Sequence, residues 1–146
     1  MNFNGPFGSG TAQFQRLDLE GRWYAPVARL GGGPTVGGIR IVMALTAKSG
    51  FIFGDPGPFF RQMYSMGGTQ FGIPLRGYDE FSITPNGFDP SAGGSAAAGV
   101  DAFGKSYAAF TLEAGARLSQ SLYASAFLDA GNVYRTTRQY DPSRLY

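Results

Sequence analysis

A chain of 146 residues with 15% charged and 15% aromatic residues, 23 Gly, 9 Pro and a net charge of +2 falls well short of the roughly one-quarter charged residues of an ordinary soluble domain. It holds no Cys and no His, which excludes disulfides, thiolate metal sites, thiol nucleophiles and an imidazole base. The dispersed Lys and Arg form no basic stripe for nucleic acid, and no apolar run is long enough for a membrane-spanning helix, so any membrane role falls to β-strands.

The chain opens on Met1-Asn2-Phe3-Asn4-Gly5-Pro6, without a basic start, an apolar core or a small-residue cleavage site. For an exported membrane β-protein this predicts an internal piece of something longer. From about 11 to 26, Arg16, Asp18, Glu20, Arg22 and Tyr24 alternate with Leu17, Leu19 and Trp23, the mark of a strand with one wet and one apolar face. From about 38 to 50 the apolar Ile39, Ile41, Met43, Leu45 and Ala47 lie opposite Arg40, Thr46 and Lys48.

A connection of roughly fifty residues follows, too long to be a passive link in a compact fold. Its first part, about 54–85, combines aromatics with the turn chemistry of Asp55-Pro56-Gly57-Pro58, Gly67-Gly68 and Pro74, which predicts an ordered, packed loop. Its second part, about 86–104, is dominated by Gly, Ala and Ser and is expected to be a mobile external tip, with order ending near Pro85. Two further alternating segments close the pattern. Over 106–118 the apolar set is Ala108, Phe110, Leu112, Ala114, Ala116 and Leu118, against Tyr107, Thr111, Glu113 and Arg117; over 122–133, Leu122, Ala124, Ala126, Leu128 and Ala130 oppose Tyr123, Ser125, Phe127, Asp129 and Gly131. Ser119-Gln120-Ser121 between them is a tight turn, as on the periplasmic side of a barrel.

Each segment is about the 9–11 residues that a tilted strand needs to cross a bilayer. Soluble β-sandwiches also alternate, but long strands, nearly uncharged outward faces and unequal connections favour a membrane barrel. The expected fold is all-β: an antiparallel four-stranded piece of a transmembrane β-barrel with a long loop folded inward. Four strands cannot close a barrel, and open edges in hydrocarbon leave backbone groups unpaired, so the piece is not expected to insert alone.

The run from Phe59 to Gly68, followed by Leu75-Arg76-Gly77-Tyr78, resembles the loop-six signature of the BamA/TamA superfamily (bacterial surface antigen family): an aromatic-rich segment, a Gly-Gly pair and (V/I)RG(F/Y). Phe127-Leu128-Asp129-Ala130-Gly131 is similar to that family's FxDxG strand motif, and Glu113 stands where the family carries a Glu. The resemblance covers roughly residues 10 to 134 and implies strands ten through thirteen of a sixteen-stranded barrel. Leu75 replaces the usual Val or Ile, and no proline follows Glu113.

A loop held inside a wet lumen needs more than hydrophobic burial. Arg76 carries a planar fork of five donors that can engage two carboxylates, and Glu113 and Asp129, on the inward faces of neighbouring strands, are expected to converge on it. Gly77 is expected to let the loop approach the wall, Tyr78 to pack on the wall, and Gly131 to leave room for the loop tip. Gly67, Gly68, Leu75 and Phe127 support the motif.

No Ser here has a His partner, so a Ser-His-Asp arrangement is impossible within the chain. An Arg beside both acids would keep them ionised, against a general-acid role. Two acids also supply too few oxygens for calcium; no enzyme activity, metal or cofactor is expected. The resemblance implies residence in the outer membrane and a parent that folds and inserts β-barrel proteins there. Its partners would be the lipid bilayer, unfolded outer-membrane clients and periplasmic lipoproteins or chaperones. A two-partner-secretion transporter, which shares the loop motif, and a passive porin are the alternatives.

Overall fold

The computed structural model describes residues 2–5, 8–11, 13–31, 38–57, 62–92, 100–119 and 121–146. Two short strands, β1 (Asn2–Gly5) and β2 (Gly8–Thr11), pair with each other. Long strands β3 (Gln13–Leu30) and β4 (Ile39–Asp55) follow. Within the long connection a small hairpin forms from β5 (Ile83–Thr84) and β6 (Gly87–Phe88), and β7 (Ser106–Arg117) and β8 (Tyr123–Tyr134) complete the set. Among the described residues no helix is long and apolar enough to cross a membrane. The main sheet is antiparallel throughout, in the order β3, β4, β7, β8, and is a four-stranded segment of a transmembrane β-barrel.

Directly opposed residues in an antiparallel sheet share a face, so the register converts sequence alternation into two surfaces. One face carries, level by level, Asp18, Gly50, Tyr107 and Val133; then Glu20, Lys48, Ala109 and Gly131; then Arg22, Thr46, Thr111 and Asp129; then Tyr24, Ala44, Glu113 and Phe127. The other face presents Leu17, Leu19, Trp23, Leu45, Leu112 and Leu128, all exposed. An exposed aliphatic and aromatic band opposite a mixed polar face is the membrane-barrel arrangement, lipid outside and lumen inside.

β3 and β4 run past their expected spans because pairing continues beyond the apolar band, whereas β7 and β8 keep to theirs within a residue. β3 runs on to Leu30 through a bulge between Pro26 and Ala28, where a proline that cannot donate to the ladder is tolerated. The extra residue restores Arg29 to the lumen face opposite Arg40. β4 runs on to Asp55 because Gly50 lies within the strand. The Gly32 to Pro34 link lies outside the described residues.

The described parts of the connection, 62–92 and 100–105, lie along the lumen face. Isolated bridges join Tyr64 to Gly104, Met66 to both Ile73 and Ile83, and Gly68 to Leu75. Tyr64, Met66, Leu75 and Ile83 of the loop form one buried cluster with Ile52, Tyr107, Ala109 and Val133 of the wall. This is the only core in the described residues, and half of it comes from the loop. The expectation that order ends near Pro85 is corrected: Gly87 and Phe88 pair with Thr84 and Ile83, Asp89 N donates to Ser82 O at 2.8 Å, and a 3-10 turn covers Pro90–Ala92. Ala102 is buried, and Gly104 exchanges two backbone bonds with Tyr64. Backbone pairing thus supplies the order that side-chain bulk does not; residues 93–99 lie outside the described residues.

Beyond β8 residues 136–140 lie over the outer face of the loop-side strand ends, and the chain then returns along the edge of β8. Tyr140 packs on Phe51 with ring centres 4.9 Å apart and shares a 2.8 Å hydrogen bond with Ser49. Tyr146 exchanges two 3.0 Å backbone bonds with Gly131.

Candidate functional site

The site is the contact between the loop and the lumen face. Asp129 is placed inward by the alternation of β8, with Thr111 directly across on β7. Arg76 reaches it from the turn that follows Leu75. Nε and Nη2 of the guanidinium donate to Oδ2 and Oδ1 at 2.6 and 2.8 Å, and the Arg76 backbone N–H adds a third bond at 3.2 Å. A two-pronged ion pair of this kind fixes orientation as well as distance. The Asp129 side chain is 4% exposed and that of Arg76 is 34% exposed, so the carboxylate depends on this partner while the guanidinium keeps access to water. Hydrogen bonding to Asp129 pushes the Arg76 pKa further up.

The other side of the guanidinium lies over the Phe127 ring, 3.6 Å from its centre. A cation stacked on an aromatic face is stabilised by the ring quadrupole by about 0.5–2 kcal/mol. Here the expectation for Glu113 is corrected. Glu113 lies opposite Phe127, one inward level below Asp129, and contributes an attractive field to Arg76 but no hydrogen bond or ion pair among the described residues. The second contact of the guanidinium is thus the flat face of Phe127 rather than a second carboxylate at its N–H edge.

Gly77 is corrected as well. A Cβ there would meet nothing within 4 Å, so no close approach is needed, but its φ of +91° is disfavoured for any other residue. The glycine turns the chain after Arg76 rather than making room. Tyr78 packs against the shared core and meets Phe88 of the loop edge-on, with ring centres 5.4 Å apart. Leu75, 1% exposed, anchors the same core.

Gly67 and Gly68 shape the loop internally. Both have positive φ, and a Cβ would fall 2.2 Å from Asp79 O at the first and 2.0 Å from the Glu80 carboxylate at the second. That carboxylate accepts the backbone N–H groups of Thr69 and Gln70 at 2.7 Å and Phe71 at 3.2 Å. It is an anion seated in a nest of amides, which holds the turn before Arg76 in shape. Gly131 faces Met66: a Cβ would lie 2.6 Å from its sulfur. The residues Phe59, Phe60 and Arg61 of the motif lie outside the described residues.

A second attachment, which sequence reasoning missed, holds the upper part of the loop to the opposite side of the sheet. The Tyr64 hydroxyl donates to Asp18 Oδ1 on β3 at 2.8 Å. Arg16 pairs with the same carboxylate at 2.7 Å and lays its guanidinium over the Tyr64 ring, 4.5 Å from the centre. Tyr64 also meets Tyr107 edge-on at 4.6 Å. Burial, then the bond to Asp18, push the Tyr64 phenol pKa up, so it remains a donor at neutral pH. Gly50 makes the space: a Cβ there would sit 2.3 Å from the Tyr107 ring and 2.5 Å from the Tyr64 hydroxyl. The signal in the sequence was an interior glycine on the lumen face of a strand, which marks close approach as readily as a strand end.

Two pins, one on β3 and one on β8, thus clamp a single loop across the full width of the sheet. Such an arrangement defines the wall of a transmembrane barrel whose lumen is occupied by its own connection. The chain matches the Omp85 superfamily domain over residues 1–145 and belongs to that superfamily. Proteins of this superfamily are outer-membrane proteins that insert or transport other polypeptides. No curated protein and no solved structure matches the chain.

Proposed function

We propose that this chain forms part of an outer-membrane assembly factor that folds and inserts β-barrel proteins. The observation that carries the reading is the Arg76–Asp129 pair together with the core shared between loop and wall, since half of the buried cluster would be exposed if the loop left the lumen. An insertion factor works at its wall and profits from a plugged, stiffened lumen. A two-partner-secretion transporter must clear the same lumen for its passenger, and a passive porin needs a constriction but no clamp of this kind. The partners in this reading are the outer-membrane bilayer, unfolded β-barrel clients, and periplasmic lipoproteins or chaperones that deliver them. The loop-bearing strand ends face outward from the cell and the Ser119 to Ser121 turn faces the periplasm, following the usual short-turn rule.

The test is reconstitution of the full-length protein in proteoliposomes with an unfolded β-barrel client. Accelerated appearance of the client's folded, heat-modifiable form is expected, and slowing by Arg76→Ala. Secretion of an unfolded passenger without any acceleration of client folding would replace this reading with the transporter.

A further inference from the structure

At the end of the sheet opposite the loop, the register brings three arginines side by side. Arg29 pairs directly with Arg40, and Arg40 directly with Arg117. All three are exposed and share the face that higher up carries Asp129 and the loop. Strand spacing makes the row about 10 Å long. Like charges directly opposite one another destabilise a sheet; Arg29 and Arg40 form no ion pair with any described residue, and Arg117 Nε donates to the Ser119 carbonyl at 3.3 Å, a contact that leaves its positive charge in the row. The next inward level, Pro26, Val42, Gly115 and Ser125, holds no acid to offset them. The bulge at Pro26 and Ala28 is what aligns the row: without the extra residue, alternation would turn Arg29 toward lipid.

We infer that the row of Arg29, Arg40 and Arg117 is a docking rail for an extended acidic segment of another polypeptide at the mouth of the barrel. Guanidinium forks select carboxylate or phosphate. The choice between them follows from the face. Residues interleaved with the row on the opposite surface, Leu30, Ile39, Ile41 and Ala116, are apolar and turn toward the bilayer, so the forks look into the lumen, away from lipid headgroups. Alternate residues of an extended strand lie about 6.8 Å apart, which lets two carboxylates on one face of the segment span three guanidiniums. The periplasmic placement of this mouth rests on the orientation given under Proposed function; binding in micelles does not, so the two fail separately.

The probe is a labelled peptide of alternating Glu and Thr, titrated by fluorescence anisotropy against the full-length protein in zwitterionic detergent at low salt. Binding about tenfold tighter than that of the Gln and Thr counterpart is expected, weakening as salt shortens the screening length. Replacing Arg29, Arg40 and Arg117 together by Gln should remove that preference, while Arg135→Gln with Arg138→Gln and Arg144→Gln at the far end should leave it within about twofold. The first variant should melt no lower than the wild type at low salt, since it relieves repulsion. Equal peptide affinity in both variants, or displacement of the peptide by phosphatidylglycerol at equal charge concentration, would overturn the inference, the latter in favour of lipid phosphate. So would a fall in melting temperature on neutralising the row, which would make it a structural feature. Should the triple variant fail to fold, Arg40→Gln carries the same test at about threefold loss.

Discussion

Replacing Arg76 by Ala leaves the Asp129 carboxylate, 4% exposed, without the two guanidinium bonds at 2.6 and 2.8 Å. The 3.2 Å backbone contact of residue 76 and the side-chain hydrogen bond from Thr111 remain, but neither carries a compensating charge. An uncompensated charge at a site that stays dry costs about 3–5 kcal/mol. Replacing Asp129 by Ala strands the other partner, but Arg76 is 34% exposed, can turn its fork to water, and keeps the Phe127 ring; the lost charged hydrogen bonds cost about 1.5–3 kcal/mol. The same pair therefore predicts unequal single-mutant costs, with a gap of about 2 kcal/mol in favour of Asp129→Ala. The double variant should cost about as much as Asp129→Ala alone, because removing the carboxylate cancels the penalty of stranding it. The assay is urea unfolding of the full-length protein in detergent micelles, followed by electrophoretic mobility and combined as a double-mutant cycle. Single-variant costs that simply add in the double variant would refute the pairing. Equal costs for the two single variants would refute the burial argument.

Glu113→Gln should change stability by less than about 0.5 kcal/mol in the same assay, because its effect on Arg76 is field without contact; a loss above 2 kcal/mol would restore Glu113 as a direct partner. Tyr64→Phe removes one hydrogen bond to a charged acceptor and should cost about 1–2 kcal/mol, read as faster limited proteolysis within 62–92 while the strands stay protected. Three glycines separate sterics from backbone strain. Gly50→Ala meets two packed tyrosine rings and should cost about 2–3 kcal/mol, Gly77→Ala should cost about 1–2 kcal/mol from its left-handed backbone alone, and Gly131→Ala, facing a flexible Met66 thioether, should cost under about 1 kcal/mol. Melting midpoints of the three variants check that order.

Strand identity, face and sequence order were legible from the chain alone. A two-residue period is a local property, and four segments of it, with lipid-compatible outward faces, are enough to define an all-β membrane wall. The long connection announced itself by length and turn residues, and Arg76 and Asp129 by their motif contexts. What lay beyond the sequence was register and reach. Whether Glu113 or Phe127 meets the guanidinium depends on where a loop dozens of residues away comes to rest against the wall. That Tyr64 finds Asp18 depends on a contact across 46 residues, for which periodicity carries no information. Gly50 read as a strand end and proved to be an interior cavity for two rings, because a missing Cβ looks the same in either role until the neighbouring element is placed. The alignment of Arg29 with Arg40 and Arg117 needed a one-residue bulge, and a bulge is decided by pairing with the next strand. Local alternation determines which residues can face the lumen; only tertiary packing decides which of them touch, since those contacts are set by the docking of the whole loop against the sheet.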